Sequence, residues 1–189
     1  MTSTSGSQPE NDPPEIAPLY SAAAIGARVQ ALADEISARA PAGRGPLVLV
    51  GLLRGAVPFV SDLARALSER RVAVVVEYMS ASSYAGRTSS GDVQLAGHAN
   101  LDLAGRDCLI VDDILDTGLT LEAVLRVLKA KAPARLATVV LLDKTARRIN
   151  ELTAEFSGFR CPDVFVVGYG MDLDGRFREL PFIGTIASH

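Results

Sequence analysis

The sequence predicts an α/β protein: one domain built on a mostly parallel, twisted β-sheet flanked by helices. Three observations lead there. Short apolar runs alternate along the chain with segments of helical periodicity. The runs are apolar at successive positions rather than at every second one, the pattern of strands buried on both faces. The chain has 189 residues, 48% of them hydrophobic, enough for a single core without disulfides or a structural metal.

The elements follow in order. Met1 to Pro18 consists mainly of Ser, Thr, Pro, Gly and acids, with no Lys or Arg before Arg28. Such a stretch buries too little surface to offset its ordering entropy, so residues 1–18 are expected to be a disordered tail and 19–189 the folded domain. It also lacks the basic start and apolar run of a secretory signal. No other apolar run reaches bilayer length, and the chain reads as cytoplasmic. From Ser21, the residues Ile25, Val29, Leu32 and Ile36 share one helical face. Pro41, Gly43, Gly45 and Pro46 end that helix, and Leu47–Leu52 reads as a buried strand. Pro58 near its start, then Phe59, Val60, Leu63 and Leu67, mark a second helix. Val72–Tyr78 is a β-branched strand, and Ser80 to Gly97 reads as a long loop or mobile hairpin. Cys108–Val111 is strand-like, and Leu121, Val124, Leu125 and Leu128 mark a helix that stops before Pro133. Leu136–Leu142 is another buried strand, with a short helical stretch expected from Thr145. Val164–Val167 and Phe182–Ile186 complete the strands.

Charge and composition exclude several functions. A net charge of −3 provides no global basic field for nucleic acid or an acidic membrane. Ten Phe and Tyr and no Trp are too few for a broad base-stacking platform. Cys108 and Cys161 form neither a disulfide framework nor a ligand set.

In an open α/β sheet, ligands bind beyond the carboxyl ends of the strands, so the residues just after each apolar run carry the information. The strongest signal follows Cys108–Val111: Asp112-Asp113-Ile114-Leu115-Asp116-Thr117-Gly118-Leu119-Thr120, then a helix. Loop N–H groups, hydroxyls and a helix start make a phosphate cradle. Two adjacent acids would repel a bare phosphate, whereas sugar hydroxyls and a Mg²⁺ that carries phosphates suit them. The run has neither a P-loop ending nor a dinucleotide Gly-x-Gly-x-x-Gly.

This block resembles the phosphoribosyl-pyrophosphate signature of type I phosphoribosyltransferases. Four further blocks resemble the bacterial hypoxanthine(-guanine) branch: Leu52-Leu53-Arg54-Gly55, Ser82-Ser83-Tyr84, Leu141-Leu142-Asp143-Lys144, and Pro162 to Asp172 with Arg178 beyond it. Together they cover about Leu47 to Ile186. The resemblance implies that family's fold, with a small hood formed by the terminal segments. It also implies transfer of a 5-phosphoribosyl group to N9 of hypoxanthine or guanine with Mg²⁺, a step in purine salvage, in a homodimer or homotetramer.

The implied roles are specific. Asp116, Thr117, Gly118, Leu119 and Thr120 would hold the 5′-phosphate, and Asp116 would also be the base that takes the purine N7 proton. Asp112 and Asp113 would hold the ribose hydroxyls and Mg²⁺, and Asp172 the Mg²⁺ on pyrophosphate. Arg54, Gly55 and Arg178 would bind the pyrophosphate; in the family the peptide before the Arg54 position can be cis. Lys144 would donate to O6 of a 6-oxopurine, Phe165 would stack on the ring, and the Val166 backbone would read its edge. Ser83 and Tyr84 would lie in a closing loop that excludes water. Two positions depart from many relatives: Asp112 stands where Glu is common, and Leu119 where some carry Lys. A competing reading, a regulator contacting nucleic acid, would need a basic face from Arg70, Arg71, Arg147 and Arg148.

Overall fold

A computed structural model describes residues 15–39, 45–83 and 93–186. The chain order is β1 (Ile16–Tyr20), α1 (Ala22–Arg39), β2 (Leu47–Leu53), α2 (Val57–Glu69), β3 (Val74–Ser83), β4 (Val93–Ala96), β5 (Asp107–Leu115), α3 (Leu119–Lys129), β6 (Arg135–Asp143), β7 (Phe156–Arg160), β8 (Val166–Val167) and β9 (Ile183–Ile186). Six strands form the main sheet in the order β4-β3-β2-β5-β6-β7. All its neighbours are parallel except the β3–β4 pair.

The apolar runs become the central strands because both their faces are covered. Leu49, Leu109, Val111, Val139 and Leu141 pack with α1 and α2 residues such as Leu32, Phe59 and Leu63. Their neighbours Val48, Val50, Cys108, Ile110 and Val140 pack on the other face with Leu121, Val124 and Leu128 of α3. Successive side chains thus feed two separate cores, and no polar alternation is needed. The helical stripe Ile25, Val29, Leu32 and Ile36 is buried as its spacing requires. The Ser21 hydroxyl accepts the Ala24 N–H at 3.2 Å and helps cap α1.

A second sheet of three antiparallel strands, β1-β9-β8, joins the two ends of the described chain and forms the hood. Because β1 starts at Ile16, the expected tail boundary at residue 18 falls inside this strand; residues 1–14 lie outside the described residues. Tyr20 ties the hood to the edge of the main sheet: its ring stacks on Phe159 at 4.2 Å and its hydroxyl donates to the Arg160 carbonyl. Arg28 of α1 donates to the Ser157 and Gly158 carbonyls of the same edge strand, so that edge is not left open for pairing.

Several expectations need correction. The strand expected to stop at Val111 continues to Leu115, so Asp112 and Asp113 lie within the β5–β6 ladder and not in a loop. Ile114 and Leu115 resume the apolar pattern after the acids, which is why the ladder persists. The expected helical stretch from Thr145 is a set of turns, because its groups bond outward to the β5 loop: the Ile149 N–H donates to the Thr117 carbonyl. β7 was not foreseen, since Ser157 and Gly158 interrupt its apolar pattern. Of Val164–Val167 only Val166 and Val167 are strand, and they pair in the hood. The segment read as a loop or hairpin supplies two antiparallel arms, the end of β3 and β4.

β2 and its crossover partner β3 lie on one side of β5, and β6 and β7 on the other. The strand order therefore reverses between β2 and β5. A crevice opens at their carboxyl ends, the place where such sheets bind ligands.

Candidate active site

Two chain segments leave the sheet at that crevice. After β2 come Arg54 and Gly55, joined to Leu53 by a cis peptide. Asp113 crosses directly over Gly55: a Cβ there would lie 1.7 Å from its Oδ2, so only glycine fits. From β5 come Asp112 and Asp113, then the loop Asp116-Thr117-Gly118. A cavity of about 400 Å³ lies between them, with Arg54, Gly55, Asp112, Asp113, Asp116, Lys144, Phe165, Val166, Asp172 and Arg178 among its walls.

The acid pair is the electrostatic centre. Asp112 is only 8% exposed. Burial pushes its carboxyl well above the usual range, and the neighbouring Asp113 charge adds to that. Burial raises Asp113 too, opposed by the hydrogen bond with Asp112, the Ile114 N–H and the Arg178 guanidinium. The pair also clasps its own backbone. The Asp113 N–H donates to Asp112 Oδ1 at 3.0 Å and the Ile114 N–H to Asp113 Oδ1 at 2.9 Å. Among the described residues, no three His, Cys, Asp or Glu side chains converge as a protein-only metal cage. Two hard oxygen donors without a third fit Mg²⁺, which is held by one or two carboxylates with phosphates and waters completing its shell.

The β5 loop supplies a second cavity of about 320 Å³, walled by Thr117, Gly118 and Thr120 and sharing Asp112, Asp116 and Arg147 with the first. Gly118 has φ 91° and is the N-cap of α3; it brings no side-chain cap, and the Leu119 N–H donates to the Thr117 hydroxyl at a long 3.5 Å. It turns the chain into the helix and leaves N–H groups for an anion. Asp116 does not cap the helix, the role a simple turn would have given it. Its Oδ1 is buried without a hydrogen-bond partner among the described residues, and its Oδ2 lies 3.4 Å from Arg147 Nη1.

At the far end, Lys144 is 5% exposed. Its Nζ donates to the Val164 carbonyl at 3.1 Å and lies 3.5 Å from Asp163 Oδ1. Phe165 is 53% exposed, a large ring open beside the cavity, whereas Val166 is buried in β8. Asp172 and Arg178 form an ion pair. Arg178 also donates to the Gly170 carbonyl at 2.6 Å, and Asp172 Oδ2 accepts the Gly175 N–H at 2.8 Å. Asp172 therefore lines the cavity apart from the acid pair. Ser83 is the last residue of β3, and Tyr84 lies outside the described residues.

One residue of this region was weighed only as a nucleic-acid contact. The Arg148 side chain is 9% exposed. It donates to the carbonyls of Asp116 at 2.8 Å, Leu115 at 3.1 Å and Leu152, and to Asp143 Oδ1 at 2.6 Å. A single planar guanidinium thus ties the phosphate-loop backbone to the end of β6, where Lys144 begins. Two adjacent arginines gave no sign of this, because a buried clamp and a basic surface pair read alike. Arg70 is likewise engaged, with Asp34 and Gln30. Arg70, Arg147 and Arg148 are thus all paired with acids of this chain.

The model of the phosphoribosyl transferase domain matches residues 16–174. The chain belongs to the phosphoribosyltransferase family. It is 44% identical to the hypoxanthine phosphoribosyltransferase of Escherichia coli K12, over 87% of this chain and 91% of that protein. It is also 44% identical to the hypoxanthine-guanine phosphoribosyltransferase of Aquifex aeolicus, over 82% and 85%. Among solved structures of the family, the Bacillus anthracis hypoxanthine-guanine enzyme matches with a TM-score of 0.84 and 35% identity, covering 92% of this chain and 100% of that one. A Trypanosoma cruzi hypoxanthine phosphoribosyltransferase variant, as its ternary substrates complex, matches with a TM-score of 0.83 and 37% identity, over 92% and 96%.

Two stability effects follow from this phosphoribosyltransferase site. Below pH about 4, Asp112 is protonated in both folded and unfolded chains. As pH rises, the unfolded chain ionises first, so the buried carboxyl weighs increasingly against folding. In a buffer without divalent cations, Asp112→Asn is expected to raise the urea midpoint at pH 7, with the gain vanishing below the ordinary carboxylate pKa. Arg148→Ala takes the guanidinium from Asp143 and from the carbonyls of Asp116, Leu152, Lys144 and Leu115, of which Leu115 keeps the Lys144 N–H, and is expected to lose about 3–5 kcal/mol. Arg148→Lys, which keeps the charge but not the fork, should lose less in the same denaturation series.

Proposed function

We propose that this chain transfers the 5-phosphoribosyl group of phosphoribosyl pyrophosphate to N9 of hypoxanthine or guanine, releasing pyrophosphate, as an enzyme of purine salvage. The observation that carries this reading is the Asp116 carboxylate. It has a buried oxygen without a partner and stands in the wall shared by the phosphate-loop cavity and the cavity that holds Lys144 and Phe165. A base placed there serves a reaction that joins a phosphorylated sugar to a ring.

In this reading Phe165 stacks on the purine and the Val166 backbone reads its edge. Lys144 donates to O6; the Val164 carbonyl and Asp163 already orient its ammonium. An adenine amino group offers no acceptor at that position, so Lys144 selects 6-oxopurines. Thr117, Gly118, Leu119 and Thr120 hold the 5′-phosphate through backbone N–H groups and hydroxyls. Arg54, Gly55 and Arg178 receive the pyrophosphate. Asp112 and Asp113 hold the ribose hydroxyls and Mg²⁺, and Asp172 a Mg²⁺ on the pyrophosphate side. The metal neutralises phosphate charge when bound.

As N9 attacks C1′, the C1′–O bond breaks and its electron pair leaves with pyrophosphate. The proton on N7 passes to Asp116, whose negative charge also stabilises the cationic sugar. Ser83 and Tyr84 belong to the segment that excludes water from that centre. Assembly as a homodimer or homotetramer belongs to the same reading. Among the described residues no helix is long and apolar enough to cross a membrane, which is consistent with a cytoplasmic enzyme.

Pyrophosphate release measured with hypoxanthine, guanine, xanthine and adenine tests the reading. Turnover is expected with 6-oxopurines, and activity with adenine alone would sink it. Asp116→Asn should keep the fold by circular dichroism and lower kcat by about 10²–10⁴-fold. Unchanged turnover would remove Asp116 from the chemistry.

A further inference from the structure

Arg147 and Arg148 are neighbours with opposite situations. Arg148 is fixed by its hydrogen bonds to Leu115, Asp116, Asp143 and Leu152. Arg147 is 57% exposed, and its ion pair with Asp116 spans 3.4 Å, longer than a charge-assisted contact of about 2.7–2.9 Å. An exposed pair of this kind contributes little to stability, so the side chain can change partner at small cost. Its backbone cannot travel far, because Arg148 and the Ile149 N–H hold this turn against the β5 loop.

Arg147 also lines the second cavity. Its described walls contain two acids, Asp112 and Asp116, and one cation, Arg147. A phosphate near charge −2 entering it meets two carboxylates, and Leu119 at the start of α3 brings no charge. The loop N–H groups are dipoles and leave the net charge unchanged. Arg147 also borders the first cavity, between the phosphate loop and the purine end. Its guanidinium therefore stands at the junction of both.

We propose that Arg147 binds the 5′-phosphate of the substrate, exchanging Asp116 Oδ2 for the phosphate oxygens. Asp116 Oδ1, which Arg147 does not cover, keeps the role of base. This assignment rests on the transferase reading above.

The test uses the wild-type chain, Arg147→Gln and Arg147→Lys. It measures KM for phosphoribosyl pyrophosphate and for hypoxanthine, and inhibition by ribose 5-phosphate beside unphosphorylated ribose. Arg147→Gln is expected to raise KM for phosphoribosyl pyrophosphate and Ki for ribose 5-phosphate about ten- to hundredfold. KM for hypoxanthine and the thermal midpoint should stay close to wild type, and Arg147→Lys should recover part of the loss. An unchanged Ki for ribose 5-phosphate, or a fall in kcat with both KM values unchanged, would overturn the assignment. An inactive wild type would instead refute the transferase reading, so the two failures are distinguishable.

Discussion

Two adjacent carboxylates are built into the hydrogen-bonded ladder of a parallel sheet, and much of the surrounding structure answers to that burial. Asp112 and Asp113 leave the apolar core only where β5 emerges at the point of strand reversal. Each accepts a backbone N–H of the residue after it. Gly55 has no side chain because Asp113 occupies the space, and Arg178 lends a nearby positive charge. These contacts offset the burial only in part, since both carboxyls remain raised. The unfavourable burial is retained at the wall of a cavity, where the proposed reading has a cation and sugar hydroxyls use it, the familiar exchange of stability for function.

The rest of the site is arranged around this pair in two directions. Toward one end, Lys144 and Phe165 come from the end of β6 and the hood connection. Toward the other, Gly118 turns the chain into α3, where the Leu119 N–H reaches only the Thr117 hydroxyl at 3.5 Å. The hood carries Val166 and places it over the sheet, so the terminal segments complete a pocket whose floor is the central strands. Fold and chemistry meet at a few residues, and nearly all of them lie just beyond a strand.

The alternation of apolar runs and helical stripes was legible because burial on both faces leaves so plain a mark, as Leu47–Leu52 and Leu136–Leu142 show. The Asp-Asp-x-x-Asp-Thr-Gly block was equally legible, since few structures need acids, hydroxyls and a turn at that spacing. What stayed hidden depended on long-range partners. β7 is an edge strand whose Ser157 and Gly158 carry little hydrophobic signal, and its pairing with β6 decides its conformation. The turn after Lys144 has helix-forming residues, yet bonds to Thr117 and the Arg148 clamp override local preference. The extension of β5 through the acids was masked because charged residues normally end a buried strand. Arg148 looked like surface charge, and only the folded chain shows the carbonyls it faces.

The Arg148 clamp has a geometric consequence. It joins the backbone of the loop between β5 and α3 to the strand end from which Lys144 projects. A second tie between the same segments is the Lys144 N–H bond to the Leu115 carbonyl at 2.9 Å. The separation between the two ends of the crevice is thereby set by stiff backbone and one planar group. In the proposed reading the crevice works as a gauge of length: a molecule registers fully only when its ring and its phosphate are one ribose apart.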